Sequence, residues 1–282
     1  MHRALSLGAG YTGPMLGIDP ILFVYGGVIG ILAGGLAGAL GGIAGLGGGL
    51  IYVPLFYALM PGDQQGIALH VMASMVAIVA TGFFSARSHR RLGNVHMACC
   101  RQLIPGLILG AGLGLWLTLQ VPEALVLLAL ALLDGWIAFD YGRDVKRQAG
   151  QPPLVLCSGP IGYVSGTLGI GGGTMLVPLL RRSLPLRQAV GTSAACGFAM
   201  AAAAVLVNML FEHEWRAMLA GELSFLAGAW AGILLMLPAS TRFAADMHRR
   251  LPEERMRKLL RAFFACLASV LLFAAMIAHF RS

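Results

Sequence analysis

The chain has 282 residues, of which 58% are hydrophobic and 11% charged, with a mean hydropathy of +0.79. A soluble domain carries about a quarter charged residues, so the composition excludes an ordinary soluble fold and implies an all-α polytopic membrane protein. The net charge of +8 comes from arginines in short clusters between apolar runs, the pattern of cytosolic loops rather than of a nucleic-acid surface.

Residues 1–20 have no compact apolar core followed by a small-residue cleavage site, so they read as an N-terminal periplasmic segment and not as a cleavable signal. Apolar stretches then fall near 21–44, 49–60, 68–86, 98–120, 123–140, 153–170, 174–180, 188–210, 217–238 and 259–280. A span needs about 20 residues, so eight of these are expected to cross the bilayer, whereas 49–60 and 174–180 are half-length.

Of the 20 basic residues, 17 fall into one set of loops (from Arg87 to Arg101, Arg143 to Arg147, Arg181 to Arg187 and Arg242 to Arg261), which the positive-inside rule places in the cytosol. That sidedness requires each short segment to return the chain to the side it came from. The result is two units of five segments, a first transmembrane repeat over 21–142 and a second over 153–282, joined by a cytosolic linker at 143–152. Both termini are then periplasmic, in the bacterial inner membrane. An odd number of segments per unit inverts one unit relative to the other.

The duplication is written in the residues. Gly45-Leu-Gly47-Gly48-Gly49-Leu-Ile-Tyr-Val-Pro54 recurs as Gly169-Ile-Gly171-Gly172-Gly173-Thr174-Met-Leu-Val-Pro178 at a constant offset of 124, and Ser74 and Ser193 stand 119 apart. Gly110 and Gly114 pair with Gly228 and Gly232 at 118. Eight residues separate Gly173 from Arg181, about 12 Å of helix against a hydrocarbon core of about 30 Å, which puts the second cluster near mid-depth. The first reaches a similar depth from the opposite face.

Irregular backbone at that depth is tolerated only where it is buried in protein or lines a wet cavity. Glycines permit positive φ and close backbone approach, and a helix that begins just after them presents free N–H groups and a positive dipole end to an anion. Pro54 and Pro178, which lack a donor, are expected to break or bend the half-helices and to free the carbonyls of Leu50 and Thr174. Ser74, Thr192 and Ser193 open the following helices and supply hydroxyls for an oxyanion. The candidate substrate site is therefore Gly45, Gly47, Gly48, Gly49, Ser74, Gly169, Gly171, Gly172, Gly173, Thr174, Thr192 and Ser193.

Other small-residue sets, Gly30/Gly34/Gly38/Gly42 and the Gly110 and Gly228 pairs, have the four-residue spacing of helix contacts. Asp134 and Glu222 are carboxylates in apolar segments and thus candidates for proton coupling, Glu222 nearer a segment end. Cys196, one turn from Thr192 and Ser193, is a candidate thiol. Asp140 reads as an interfacial partner of Arg143, Asn208 as a hydrogen-bonding group between helices, His70 as capping or solvated, and His89, His96, His213 and His248 as solvated loop residues. No His, Cys or carboxylate set has metal spacing, no cofactor motif is present, and neither cluster continues into a phosphate-binding Gly-Lys-Ser/Thr.

The two Gly-x-Gly-Gly-Gly-x-x-x-x-Pro motifs, each followed by Ser or Thr-Ser at the next helix, resemble those of the TauE/SafE sulfite exporter family, also called the toluene sulfonate uptake permease family, over residues 20–280. The resemblance implies a transporter, not an enzyme, that moves a sulfur-containing anion such as sulfite, sulfoacetate, another organosulfonate or thiosulfate. Ala73-Ser74, where the second half has Thr192-Ser193, departs from symmetry. Alternatives open at this stage are a channel-like anion pathway and a membrane-embedded protein that uses the Cys196 thiol.

Overall fold

The structure, a computed structural model, describes residues 18–44, 48–61, 66–140, 154–250 and 253–281. Among them are eleven helices and no strand: α1 (Pro20–Ala44), α2 (Gly49–Leu59), α3 (Ile67–Arg91), α4 (Met97–Leu117), α5 (Glu123–Asp140), α6 (Leu154–Leu168), α7 (Gly173–Leu180), α8 (Leu186–Phe211), α9 (His213–Gly221), α10 (Leu223–Arg250) and α11 (Glu253–Arg281). Six of them, α1, α3, α4, α8, α10 and α11, are long and apolar enough to cross a membrane. Of the other two stretches read as full spans, α5 has 18 residues and carries three carboxylates, and α6 has 15 residues.

The short segments after the glycine clusters are the short helices α2 and α7, of 11 and 8 residues. The segment read at 217–238 divides at Glu222 into α9 and α10. The break at Glu222 has a local cause: Gly221 ends α9, and the Glu222 carbonyl starts the next helix by accepting from the Leu226 N–H at 3.0 Å. Among the described residues, helix α9 has no counterpart in the first half. Helix starts therefore stand 119 residues apart for α3 and α8 but 126 for α4 and α10, so the 118-residue glycine spacing does not superpose the ends of the latter pair.

The halves interlock. Helix α1 packs on α10, and α4 packs on α6, so the first helix of each half lies against the next-to-last helix of the other. Small residues make both contacts possible. A Cβ on Gly26 or Gly30 would lie 2.1 or 2.0 Å from the carbonyl oxygen of Phe225 or Ala229, and one on Gly228 or Gly232 would strike those of Phe23 or Gly27. On the other side, Gly110 and Gly114 abut the carbonyls of Gly159 and Tyr163, and Gly162 and Gly166 those of Leu107 and Ala111. Between lipid-like surfaces such close backbone approach is the main source of helix attraction. In both pairs the contacts advance together along the chain, so the partners run parallel.

Helices α3 and α8 form the central pair, flanked on one side by α2 and α7. Helix α4 also runs along α8 in a constant register of 96 residues: Thr192 Oγ1 accepts from the His96 N–H at 2.9 Å, and Asn208 Nδ2 donates to the Gly112 carbonyl at 3.1 Å. The equivalent face between α3 and α10 is looser. There Trp230 Nε1 donates to the Ala73 carbonyl at 3.2 Å, and an apolar cavity of about 570 Å³ lies among Val76, Ala80, Ala202, Met209, Trp230 and Ile233.

Candidate functional site

The two glycine clusters meet. A Cβ on Gly49 would stand 2.3 Å from the carbonyl oxygen of Ile170 and 2.6 Å from its Cα, so the start of α2 lies backbone against backbone on the second cluster. Three glycines there have positive φ, Gly48 at +78°, Gly169 at +65° and Gly171 at +63°, a region that costs a side-chain-bearing residue roughly 1–2 kcal/mol. Gly169 directly follows the end of α6, Gly48 immediately precedes α2, and Gly171 lies two residues before α7. Gly45 and Gly47 lie outside the described residues.

The expectation that the prolines break the half-helices is corrected. Pro54 lies inside α2, which continues to Leu59, and Pro178 lies inside α7, which continues to Leu180. Each proline removes one donor but leaves the φ of a helix intact; the breaks belong to the glycines.

The second cluster is braced from the first half. The Ser74 hydroxyl, wholly buried, donates to the Gly169 carbonyl at 2.7 Å. A Cβ on Gly169 would come within 3.0 Å of Val53 Cγ2 and of Val71, and one on Gly171 within 3.0 Å of Ile78 Cγ2. Val71, Ser74 and Ile78 share the face of α3 that meets the cluster, as their three- and four-residue spacing requires. Ser74 is thus committed to holding the loop.

The start of α7 is different. The amide nitrogens of Gly172 and Gly173 lie near Gly197 of α8, 3.8 and 4.0 Å from where a Cβ on that residue would stand. Ser193, one turn earlier on the same face of α8, is fully buried and its Oγ has no hydrogen-bond partner in the structure; the same is true of Thr174 Oγ1 in the first turn of α7. Buried hydroxyls are normally satisfied. Two buried hydroxyls without partners thus stand on the two helices, α7 and α8, that approach one another at Gly172, Gly173 and Gly197. In the first half the matching positions are closed off: Leu50 stands where the second half has Thr174, and Ile78 stands where it has Gly197.

Thr192 is drawn away from this place, since its hydroxyl accepts the His96 N–H and pins the α3–α4 turn to α8. His96 is exposed in the α3–α4 turn, as expected of a loop residue, and is also the N-cap of α4, with Nδ1 accepting from the Cys99 N–H at 3.4 Å. His70 is buried edge-on against Tyr57, ring centroids 5.5 Å apart. Asp140 pairs with Arg181; its expected partner Arg143 lies outside the described residues. Asn208 does join helices, binding Gly112 of α4 and accepting from Trp215 Nε1 at 3.3 Å.

Asp134 is fully buried in α5, and neither carboxylate oxygen has a hydrogen-bond partner in the structure. Glu222 is partly exposed at the α9–α10 junction, where burial pushes its carboxyl above the ordinary glutamate range. The Cys196 thiol is in contact with that of Cys100, the pair that the 96-residue register of α4 on α8 sets opposite one another. No group of three or more His, Cys, Asp or Glu able to hold a metal occurs among the described residues.

Gly197 was missed in the sequence. Its signal was available, since it stands 119 residues after Ile78 in the Ser74/Ser193 register and is the small member of that pair.

A multi-pass bundle of apolar helices whose two interrupted helices meet in its interior defines a membrane transporter. The chain matches the family Sulfite exporter TauE/SafE over residues 29–271, and it belongs to that family. It is 29% identical over 216 residues to a "Probable membrane transporter protein" of Haemophilus influenzae, covering 73% of this chain and 75% of the relative. It is 24% identical over 184 residues to a "Probable membrane transporter protein" of Methanocaldococcus jannaschii, covering 62% and 66%. No solved structure matches the chain.

Proposed function

We propose that this protein is a secondary transporter of a small sulfur-containing anion, held at the start of α7 by the N–H groups of Gly172 and Gly173 and the hydroxyls of Thr174 and Ser193. The observation that carries this reading is the pair of partnerless buried hydroxyls on α7 and α8, the two helices that approach one another at Gly172, Gly173 and Gly197. Helix starts and buried hydroxyls are donors only in the sense an oxyanion needs. The first cluster and Ser74 position the second; they do not touch the anion.

Alternating access would follow from motion of one inverted half against the other. The interlocked α1–α10 and α4–α6 pairs support the 21–142 and 153–282 units, and the clustered arginines support periplasmic termini. Asp134 is the group proposed for proton coupling, since a fully buried carboxylate without a hydrogen-bond partner in an apolar helix is costly and such groups are commonly functional. The Cys100 contact supports a packing role for Cys196 over a thiol chemistry.

The test is sulfite and methanesulfonate flux into liposomes that contain the purified protein, with and without a proton gradient. Gradient-driven accumulation, lost on Thr174→Val/Ser193→Ala, is expected. Flux that ignores the gradient would instead support a channel, and flux unchanged in the double variant would remove the site.

A further inference from the structure

Tyr57 and Arg181 are equivalent residues in the two halves. Each stands three positions after its proline, and they are 124 apart, the offset of the glycine clusters. Tyr57 lies in the last turn of α2, and Arg181 caps the end of α7. Both are held by one helix. The Tyr57 hydroxyl donates to Glu123 Oε1 at the start of α5, and the Arg181 guanidinium pairs with Asp140 at its end.

Symmetry alone would give a different arrangement. Helix α11 ends the second half as α5 ends the first, and the two pack together. In the first turn of α11, Glu254 is 73% exposed and pairs with Lys258 of the same helix. Arg181 is held instead by the helix of the first half, in a pair whose side chains are only 17% and 21% exposed. Exposed ion pairs contribute little; a sheltered pair fixes a position.

The lengths agree with a closed frame. Tyr57 lies eight residues beyond Gly49, and Arg181 eight beyond Gly173, about 12 Å of helix in each case. The start of α2 abuts the second cluster at Ile170, so half-helices that run in opposite directions place their outer ends about 24 Å apart. Glu123 and Asp140 are 17 residues apart on α5, about 26 Å. Asp134 rides between these two ties. It follows Glu123 by eleven residues, close to three turns and therefore on the same face, and it precedes Asp140 by six, about 9 Å, the height of the first turn of α7. Eleven residues after the start of α11 stands the buried, apolar Phe264.

We infer that α5 is a strut that holds the outer ends of α2 and α7 at a fixed separation, with Tyr57, Glu123, Asp140 and Arg181 as its positioning residues, and that Asp134 is carried within the same body. The inference takes from the proposed function only the use of sulfite as a probe.

The experiment is a double-mutant cycle on the purified full chain in lipid nanodiscs, read by thermal unfolding. Tyr57→Phe removes one tie and Arg181→Met the other. Sites this far apart ordinarily add. Each single variant is expected to lower the melting temperature, and the double variant is expected to fall short of the summed loss by at least about a third, because a strut released at one end no longer holds the other. A double loss closer to the sum would overturn the strut and leave two local contacts. So would a single variant that melts with the wild type.

Sulfite flux into liposomes supplies the second readout. Arg181→Met is expected to reduce maximal flux at least about tenfold, the equivalent of one hydrogen bond to a charged group, with the half-saturating concentration unchanged. The charge exchange Arg181→Asp/Asp140→Arg, which rebuilds the tie in reverse, is expected to recover most of the flux and the melting temperature. Unchanged flux in Arg181→Met, or no recovery in the exchange, would overturn the positioning role. A wild type that carries no sulfite would overturn the anion reading alone, because the cycle uses no substrate and decides on the strut by itself.

Discussion

Replacing Gly197 by alanine separates binding from stability. Gly197 lies inside α8, where alanine is favoured over glycine by about 0.5–1 kcal/mol, and the new Cβ would meet Gly172 N at 3.8 Å and Gly173 N at 4.0 Å, ordinary contact distances. The variant is therefore expected to insert and to melt slightly higher than the wild type. An anion oxygen that accepts from both amides at about 2.9 Å competes with that methyl group for the same space. Loss of two charge-assisted hydrogen bonds at about 1.5–3 kcal/mol each amounts to roughly 10²- to 10⁴-fold in affinity at 1.4 kcal/mol per decade. Titration calorimetry, alongside thermal unfolding, reads both quantities. Gly112→Ala, at a helical glycine with nothing within 4 Å of a Cβ, is the control that gains the helix propensity without touching the site. Wild-type affinity in Gly197→Ala would refute the placement of the anion between α7 and α8.

Ser74→Ala strips the Gly169 carbonyl of the hydroxyl that donates to it; a buried acceptor left unpaired costs about 1–3 kcal/mol, so melting temperature and anion affinity should fall together. Thr192→Val should lower the melting temperature by the loss of the His96 contact and leave the dissociation constant unchanged, which flux and titration check independently. Asn208→Leu leaves the buried Trp215 N–H without its partner and should destabilise by about 1–3 kcal/mol, above the mean of about 0.6 kcal/mol for hydrogen bonds between membrane helices. For Asp134→Asn, anion exchange should persist while accumulation driven by a proton gradient disappears; gradient-driven uptake at the wild-type level would exclude Asp134 from coupling.

The fold class was legible because its signals are local and repeated. A 20-residue apolar run or an 11-residue one between charged ends states its own length, and the 124-residue recurrence of the glycine cluster needs no tertiary information. Glycine spacing likewise marked the helix contacts, since Gly110/Gly114 and Gly228/Gly232 are small for the sake of a neighbour's backbone. The division at Glu222 was harder to see, because residues 217–221 and 223–238 are both apolar and only the glycine before Glu222 marks a stop. What each hydroxyl does was not legible at all. Ser74 and Ser193 occupy equivalent positions, yet one is spent on a carbonyl and the other is left open, and the difference is made by Gly169, 95 residues away from Ser74 in the chain. Thr192 was indistinguishable from Ser193 until the α3–α4 turn was seen to reach it. The prolines misled for a related reason: a residue that cannot donate is a helix breaker only where the helix needs that donor.

The contact between Gly49 and Ile170 has a mechanical meaning. Side chains can change rotamer to absorb a displacement of an ångström, but a main chain pressed on a main chain has no such slack. The starts of α2 and α7 must therefore travel as one body, whatever the rest of the bundle does. In the alternating-access cycle proposed above, the anion would sit in this hub, and opening and closing would fall to the long helices on either side. The loosely packed face between α3 and α10, with its cavity, has room for that movement; the hydrogen-bonded seam between α4 and α8 would have to give way for the opposite one.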